Sequence, residues 1–220
     1  MYEQYMQLTW NDSIQFLRGI YVTLSVTFVS ITAGTVLGSI LGLIRCSKNK
    51  IISALPLIVI EPLRNSPLVV QLFLVYFGLP MVTRIVLNPY PAAIITLSLN
   101  TAVFFAVLVH NSVNAVPASQ WEAGYALGHD RLSTFINIIM RQAIRFLVPQ
   151  AITLYIGQLQ CSSMVALIGL LDLTKTGEQI TLRTMKPFIV LGIVFVLYYI
   201  ISAPLARFAR KLEKRVEFTY

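Results

Sequence analysis

This chain has little charge. Of its 220 residues only 12% are Asp, Glu, Lys or Arg, against roughly a quarter in a soluble domain, while 56% are hydrophobic and the mean hydropathy is +0.74. That balance excludes an ordinary soluble enzyme and points to an integral membrane protein. Cysteine is scarce too: Cys46 and Cys161 stand in unrelated contexts with neither CxxC nor a His-rich partner, so no disulfide or metal site is expected. The two histidines, His110 and His129, stand alone, and HExxH is absent, as are a nucleophile with its base and a paired set of carboxylates. No GxxxxGK[ST] phosphate loop occurs, so the chain is not expected to hydrolyse ATP alone. The formal charge of +8 comes from 17 cations scattered between apolar runs, without the basic stripe that nucleic acid requires. The N-terminal MYEQYMQLTWNDSIQF has no basic region, and no cleavable signal is expected. There is no internal repeat, low-complexity tract or second domain; residues 1–220 read as a single transmembrane domain.

What is present is a set of long apolar runs. A helix needs about 20 mainly apolar residues to cross the hydrocarbon layer. Residues 19–44, 51–79, 91–113, 143–171 and 187–208 qualify, which predicts an all-α, polytopic membrane protein with about five spans. Eleven cations then fall on one side: Arg45, Lys48 and Lys50; Arg131, Arg141 and Arg145; and Arg207, Arg210, Lys211, Lys214 and Arg215 in the tail. Five fall on the other (Arg18, Arg84, Lys175, Arg183, Lys186), with Arg64 inside a span. Because Lys and Arg accumulate in cytoplasmic loops, this predicts the N-terminus outside and the C-terminus inside.

Three local patterns follow. Gly34, Gly38 and Gly42 recur every four residues on one face of the first span, where small residues permit close helix packing. Pro80, Pro89 and Pro91 mark a turn outside the membrane. In the second span Glu61 and Arg64 share a helix face and can pair. Pro62 and Pro67 predict a kink or unwound stretch in the same run. A structural ion pair locking the bend is favoured over a pair gating the pathway.

The loop 114–142 is the most informative stretch. Pro117 breaks the chain before it, Ser119 is a candidate N-cap for a helix carrying Trp121 to Gly128, and Gly128 reads as a turn between two short helices. Leu132, Phe135, Ile136, Ile139, Met140 and Ala143 then form an expected apolar side. Glu122-Ala123-Gly124 is followed after three residues by Gly128 and after nine more by Ile138. This spacing resembles the EAA loop of bacterial ABC-importer permeases, E-A-A, three residues, G, nine residues, I-x-L-P. Here Gly124 replaces an alanine, Met140 the leucine and Arg141 the proline. Residues 61–80, EPLRNSPLVVQLFLVYFGLP, resemble the second span of the polar amino acid (His/Glu/Gln/Arg/opine) uptake group, which reads E-x-x-R-G-T-P-L-x-x-Q-L-F.

The resemblance spans about residues 15–210. It implies the five-helix core of a type I ABC-importer permease in the bacterial inner membrane. ATP-driven closure of the motor would be coupled to alternating access. The implied partners are a dimer of ABC ATPase subunits carrying ATP and Mg, an identical or related permease, and a periplasmic or lipid-anchored binding protein delivering an amino acid. Membrane lipid surrounds the chain, and no cofactor belongs to it. Glu122, Ala123, Gly124, Tyr125, Ala126, Leu127 and Gly128 are the expected ATPase contact. Ala123, Gly124 and Ala126 would supply a low-profile surface, Tyr125 and Leu127 the bulk, and Glu122 a carboxylate at the positive end of the helix dipole.

Where similar proteins read Y-x-A-E-x-x-R-G-G, this chain has Val107, His110 and Asn111-Ser112 at the acid, arginine and glycine pair. Where they read L-K-D-T-S-L it has Leu159-Gln160-Cys161-Ser162-Ser163-Met164. Neutral Asn100, Gln158, Gln160 and Ser162, with Phe104 and Cys161, are therefore the candidate pathway residues, although such polar residues are more often helix–helix hydrogen-bond residues than ligands. The lost charges favour a heterodimer whose partner keeps the charged contacts; a homodimer with a less charged substrate is the alternative. An ion-coupled carrier or channel subunit is the alternative function, but Glu61 is the sole acid well inside a span.

Overall fold

The computed structural model describes the backbone of residues 7–217 and the side chains of residues 7–212. Residues 1–6, part of the N-terminal stretch read above, and the tail side chains of Lys214 and Arg215 lie outside it. The described residues are helical, with no strand among them. In chain order the helices are α1 (Trp10–Arg45), α2 (Lys50–Ala54), α3 (Leu57–Arg64), α4 (Leu68–Phe73), α5 (Leu79–Thr83), α6 (Pro89–Asn114), α7 (Ala118–Ala126), α8 (Arg131–Thr134), α9 (Met140–Cys161), α10 (Leu173–Thr184) and α11 (Pro187–Glu217). Single π-helical turns, Leu74–Gly78 and Phe135–Ile139, join α4 to α5 and α8 to α9, and a 3-10 turn, Ser162–Ile168, extends α9. Hydrocarbon offers the backbone no hydrogen-bond partner, so an all-helical chain is the physical consequence of the composition.

Four helical segments are long and apolar enough to cross a membrane: Trp10–Arg45, Pro89–Asn114, Arg131–Ile168 and Pro187–Leu212. A fifth forms if Lys50–Arg64 and Leu68–Thr83 count as one broken span. The first begins well before residue 19, and the fourth begins at Arg131 rather than 143, so the loop ahead of it is shorter than 114–142. Polar residues at a helix end lower the hydropathy of a window without ending the helix. In the broken span Pro62 is carried inside α3, and the break comes at Asn65-Ser66-Pro67. Pro67 is extended (ψ 137°), and a residue preceding proline is pushed away from helical geometry.

The expected Glu61–Arg64 ion pair is not formed. Both residues are exposed, and the Glu61 carboxylate accepts from Asn65 Nδ2 at 3.0 Å. The two ion pairs among the described residues lie elsewhere, Lys175–Glu178 and Asp12–Arg183. Asn65, one full turn from Glu61 at the end of α3, supplies a neutral donor at the spacing that helix geometry favours.

Contacts divide the chain into two compact units, and each apolar segment gives a part to both. The first comprises the described part of Met1–Thr32 with Ser66–Ser98 and Ile156–Pro204. Its core gathers Val26, Leu72, Ala93, Leu97, Val165 and Ile168, and a second cluster joins Phe16, Leu173, Ile180, Val190 and Val194. Asp172, fully buried, caps α10: its Oδ1 accepts from Lys175 N (2.8 Å) and its Oδ2 from the Tyr198 hydroxyl (3.3 Å). Burial pushes the Asp172 carboxyl above its usual range, while the Lys175 and Thr174 amides pull the other way. Asp12, 2% exposed, accepts from Arg183 Nη2 at 2.6 Å and ties the start of α1 to α10.

The second unit comprises Ala33–Asn65, Leu99–Tyr155 and the described part of Leu205–Tyr220. Here α1 meets α6 through glycine. A Cβ on Gly38 would stand 2.6 Å from the Ala102 carbonyl oxygen, and one on Gly42 would stand 2.7 Å from Val109 Cβ and 2.8 Å from the Ala106 carbonyl oxygen. Gly34 is buried on the same face. Thr35 and Tyr155 share a hydroxyl hydrogen bond of 2.8 Å, and Tyr155 stacks on Phe105. Since the obstacles at Gly38 and Gly42 include backbone carbonyl oxygens and Cβ atoms that cannot step aside, Gly38→Ala and Gly42→Ala are each expected to destabilise the protein by about 1–3 kcal/mol. Thermal unfolding of the detergent-solubilised protein checks this. Ile40→Ala, at a site 52% exposed, should leave the midpoint nearly unchanged.

Candidate coupling loop and pathway residues

The loop of the second unit is built from its caps inward. Pro117, extended at ψ 143°, ends the preceding turn, and α7 starts at Ala118 with no side-chain cap, so Ser119 is not the N-cap but lies inside the helix. Proline supplies the stop and needs no donor of its own there. Glu122 therefore sits beyond the first turn, which holds no acid. A dipole contribution fades within that turn, so Glu122 is an exposed surface carboxylate rather than a dipole partner. At the other end, His129 N donates to the Gly124 carbonyl (3.1 Å) and Gly128 N to the Tyr125 carbonyl (3.0 Å), with Gly128 at φ 80°. This is the Schellman arrangement, whose left-handed position glycine occupies without a Cβ clash. Asp130 then caps α8, its Oδ1 accepting from Ser133 N at 2.9 Å.

The helix α7 is fixed to the start of the fourth segment at three places. Gly124 is buried: a Cβ there would lie 2.5 Å from Thr134 Cγ2, 2.9 Å from Thr134 Oγ1 and 3.2 Å from Ile138 Cδ1. Gly124 thus does not belong to the outward surface where sequence placed it. Its missing Cβ admits Thr134, itself fully buried. Trp121 stacks on Phe135 with ring centroids 6.1 Å apart, and Gln142 Nε2 donates to Gln120 Oε1 at 2.9 Å. Val113, Val116, Ile139 and Ala143 fill the space between. Of the apolar side expected over 132–143, Phe135, Ile139, Met140 and Ala143 pack inward, while Leu132 and Ile136 are exposed and Thr134 is buried instead. A π turn at Phe135–Ile139 shifts the helical phase that a constant period assumes.

The outward face of α7 and its cap consists of Glu122, Ala123, Tyr125, Ala126, Leu127 and Gly128, all exposed, with Leu127 at 76%. Small side chains alternate there with two large ones, the relief that a short helix offers to a groove. Thr134 and Gln142 are the residues that sequence reading passed over; Trp121, which meets the expected apolar residue Phe135, was the signal for them.

Of the pathway candidates in the first unit, Gln158 is buried and its Nε2 donates to the Leu97 carbonyl (3.0 Å), and Ser162 Oγ donates to the Leu159 carbonyl (2.7 Å). Gln158 thus ties α9 to α6, while Ser162 bonds only within its own helical turn. Gln160 is exposed and lines a cavity of about 420 Å³ with Ser163, Thr174, Tyr198 and Ser202. Cys161 is half-buried. In the second unit Asn100 is buried and Phe104 half-buried beside Val103.

Residues 34–218 match the family model described as binding-protein-dependent transport system inner membrane component. The chain is 30% identical to the glutamine transport system permease protein GlnP of Escherichia coli, over 96% of its own length and 99% of that protein's. It is also 30% identical to the L-cystine transport system permease protein TcyB of Bacillus subtilis, over 90% and 85%. A solved amino acid ABC transporter with histidines superposes with a TM-score of 0.86 at 27% identity, over 95% of this chain and 99% of that one. The inward-facing MetNI methionine ABC transporter shares the fold, with a TM-score of 0.75 at 23% identity. An all-α, multi-pass chain with four to five candidate spans and this match along nearly its full length is a transport component rather than an enzyme: the chain belongs to the binding-protein-dependent transport system inner membrane components, the permease family of ABC importers.

Proposed function

We propose that this chain is the membrane-spanning subunit of an ATP-driven importer of polar amino acids, and that the exposed face of α7 is where its motor docks. The observation that carries the reading is the mounting of α7: one face bare, the other pressed through Gly124, Trp121 and Gln120 onto the segment that continues into α9. A helix held this way passes a push on Tyr125 and Leu127 into the membrane segment instead of absorbing it. The relatives named for glutamine and cystine support the substrate class.

The remaining parts follow the same reading. A pair of ABC ATPase subunits carries ATP and Mg, a binding protein, periplasmic or lipid-anchored, delivers the amino acid, and a second permease completes the pathway. The heterodimer is favoured because Val107, His110 and Cys161 stand where charges would. The N-terminus lies outside and the C-terminus inside a bacterial inner membrane, by the eleven-to-five division of cations. Asn100, Phe104, Gln160 and Cys161 face substrate, while Gln158 holds the helices beside it and Ser162 bonds within its own helix.

Three outcomes test this. In proteoliposomes, uptake is expected to need ATP and a second subunit with a phosphate loop; uptake driven by an ion gradient without that subunit would overturn the reading. Gly124→Ala should cut ATP-driven uptake severalfold or more, since overpacking there costs about 1–3 kcal/mol. Adding Thr134→Ser, which removes the methyl group nearest the new Cβ, should restore much of the loss. Gln160→Ala and Asn100→Ala should each raise the KM for uptake, and unchanged uptake in both would remove them from the pathway.

A further inference from the structure

A cavity of about 430 Å³ lies in the second unit where the first apolar segment ends and the fourth begins. Leu43, Trp121, Leu132 and Phe135 form its apolar wall, and Lys48 and Arg131 bring two cations to it. One acid, Asp130, also reaches the lining, but its Oδ1 is engaged by Ser133 N as the cap of α8. Neither Lys48 nor Arg131 is in an ion pair among the described residues. Leu43 and Leu132 are 40% and 64% exposed, so the apolar wall is continuous with surface that faces lipid at the end of α1. The cavity borders the face of α7 that carries Tyr125, since Trp121, which stacks on Phe135 in the lining, also has its ring 6.5 Å from that of Tyr125.

We propose that this cavity binds the headgroup of an anionic phospholipid, with Lys48 and Arg131 on the phosphate and an acyl chain along Leu43, Leu132 and Phe135. Charge and place favour this occupant: two cations against one engaged carboxylate, at the depth where an apolar helix gives way to polar loop. Basic pockets between membrane helices at this level hold anionic headgroups. Free phosphate shares the charge chemistry but not the need for the apolar wall. Such a lipid would brace α7 beside Tyr125, next to the segment it must move.

The assembled importer in nanodiscs, with Trp10→Phe so that Trp121 is the only tryptophan of this chain, and with tryptophan-free versions of its partners, reports occupancy by fluorescence quenching. Dibrominated phosphatidylglycerol is expected to quench Trp121 severalfold more than dibrominated phosphatidylcholine at equal mole fraction. Lys48→Gln with Arg131→Gln should bring the two lipids level while leaving quenching by phosphatidylcholine unchanged, which also shows that the fold is kept. Arg210→Gln with Lys211→Gln, removing equal charge outside the cavity, should leave the preference intact. Equal quenching by both lipids in the unaltered importer, or a preference that survives loss of Lys48 and Arg131, would overturn the proposal. So would loss of the preference on adding inorganic phosphate at millimolar concentration, which would mark a site for a soluble anion, or a preference seen without the ATPase subunits but absent with them, which would mean that the motor covers the cavity.

Discussion

Helices in hydrocarbon gain little by hiding apolar side chains from lipid that is equally apolar, so their association depends on how closely their backbones can approach. This chain meets that constraint with glycine at the places where one element bears on another. Gly38 and Gly42 bring α1 against the backbone of α6, and Gly124 brings α7 against Thr134. At each, a Cβ would stand closer to its neighbours than side chains tolerate, and at the first two the neighbour includes backbone that cannot step aside. Specific polar contacts then fix what close approach allows, as Tyr155 does for Thr35 and Gln142 for Gln120.

The same contact connects structure to transport. A motor on a separate chain can act on a membrane subunit only through a part that is exposed on one side and rigid on the other. The two ends of α7 are set by local chemistry, Pro117 at the start and the left-handed Gly128 at the finish, so its length does not depend on the partner. The inner face is set by packing onto residues 134–142. Glu122 is a surface carboxylate on the exposed face of α7, beyond the reach of the helix dipole.

The helical class, the five apolar segments and the turn at Gly128 were legible in sequence because each depends on local composition or on one backbone angle. Other features depend on three-dimensional neighbours and were not. Gly124 looked like part of a low-profile outer surface, since spacing alone does not say which way a small residue points; only the position of Thr134 decides it. The apolar side of 132–143 was legible at Phe135, Ile139, Met140 and Ala143 but not at Leu132 and Ile136, which are exposed while Thr134 is buried. Glu61 and Arg64 had the right separation to pair, yet Asn65 offered a nearer partner at an exposed site. The buried Asp172 cap and the Asp12–Arg183 pair were missed, the latter because its members lie at opposite ends of the chain. Among the pathway candidates, the neutral residues split into Gln158, which joins two helices, Ser162, which bonds within its own, and cavity-lining Gln160.

Rigid mounting of α7 on the fourth membrane segment is tested most directly by distance measurement through the transport cycle. Spin labels at positions 126 and 137, both exposed in the native chain, would report the separation of α7 from the start of that segment, with Cys46 and Cys161 replaced by serine. The distance distribution is expected to stay the same in nucleotide-free, ATP-bound and post-hydrolysis states of the assembled importer, while ATP-driven uptake persists. A separation that changes between those states, with uptake intact, would contradict a rigid lever and place the moving joint inside the loop itself.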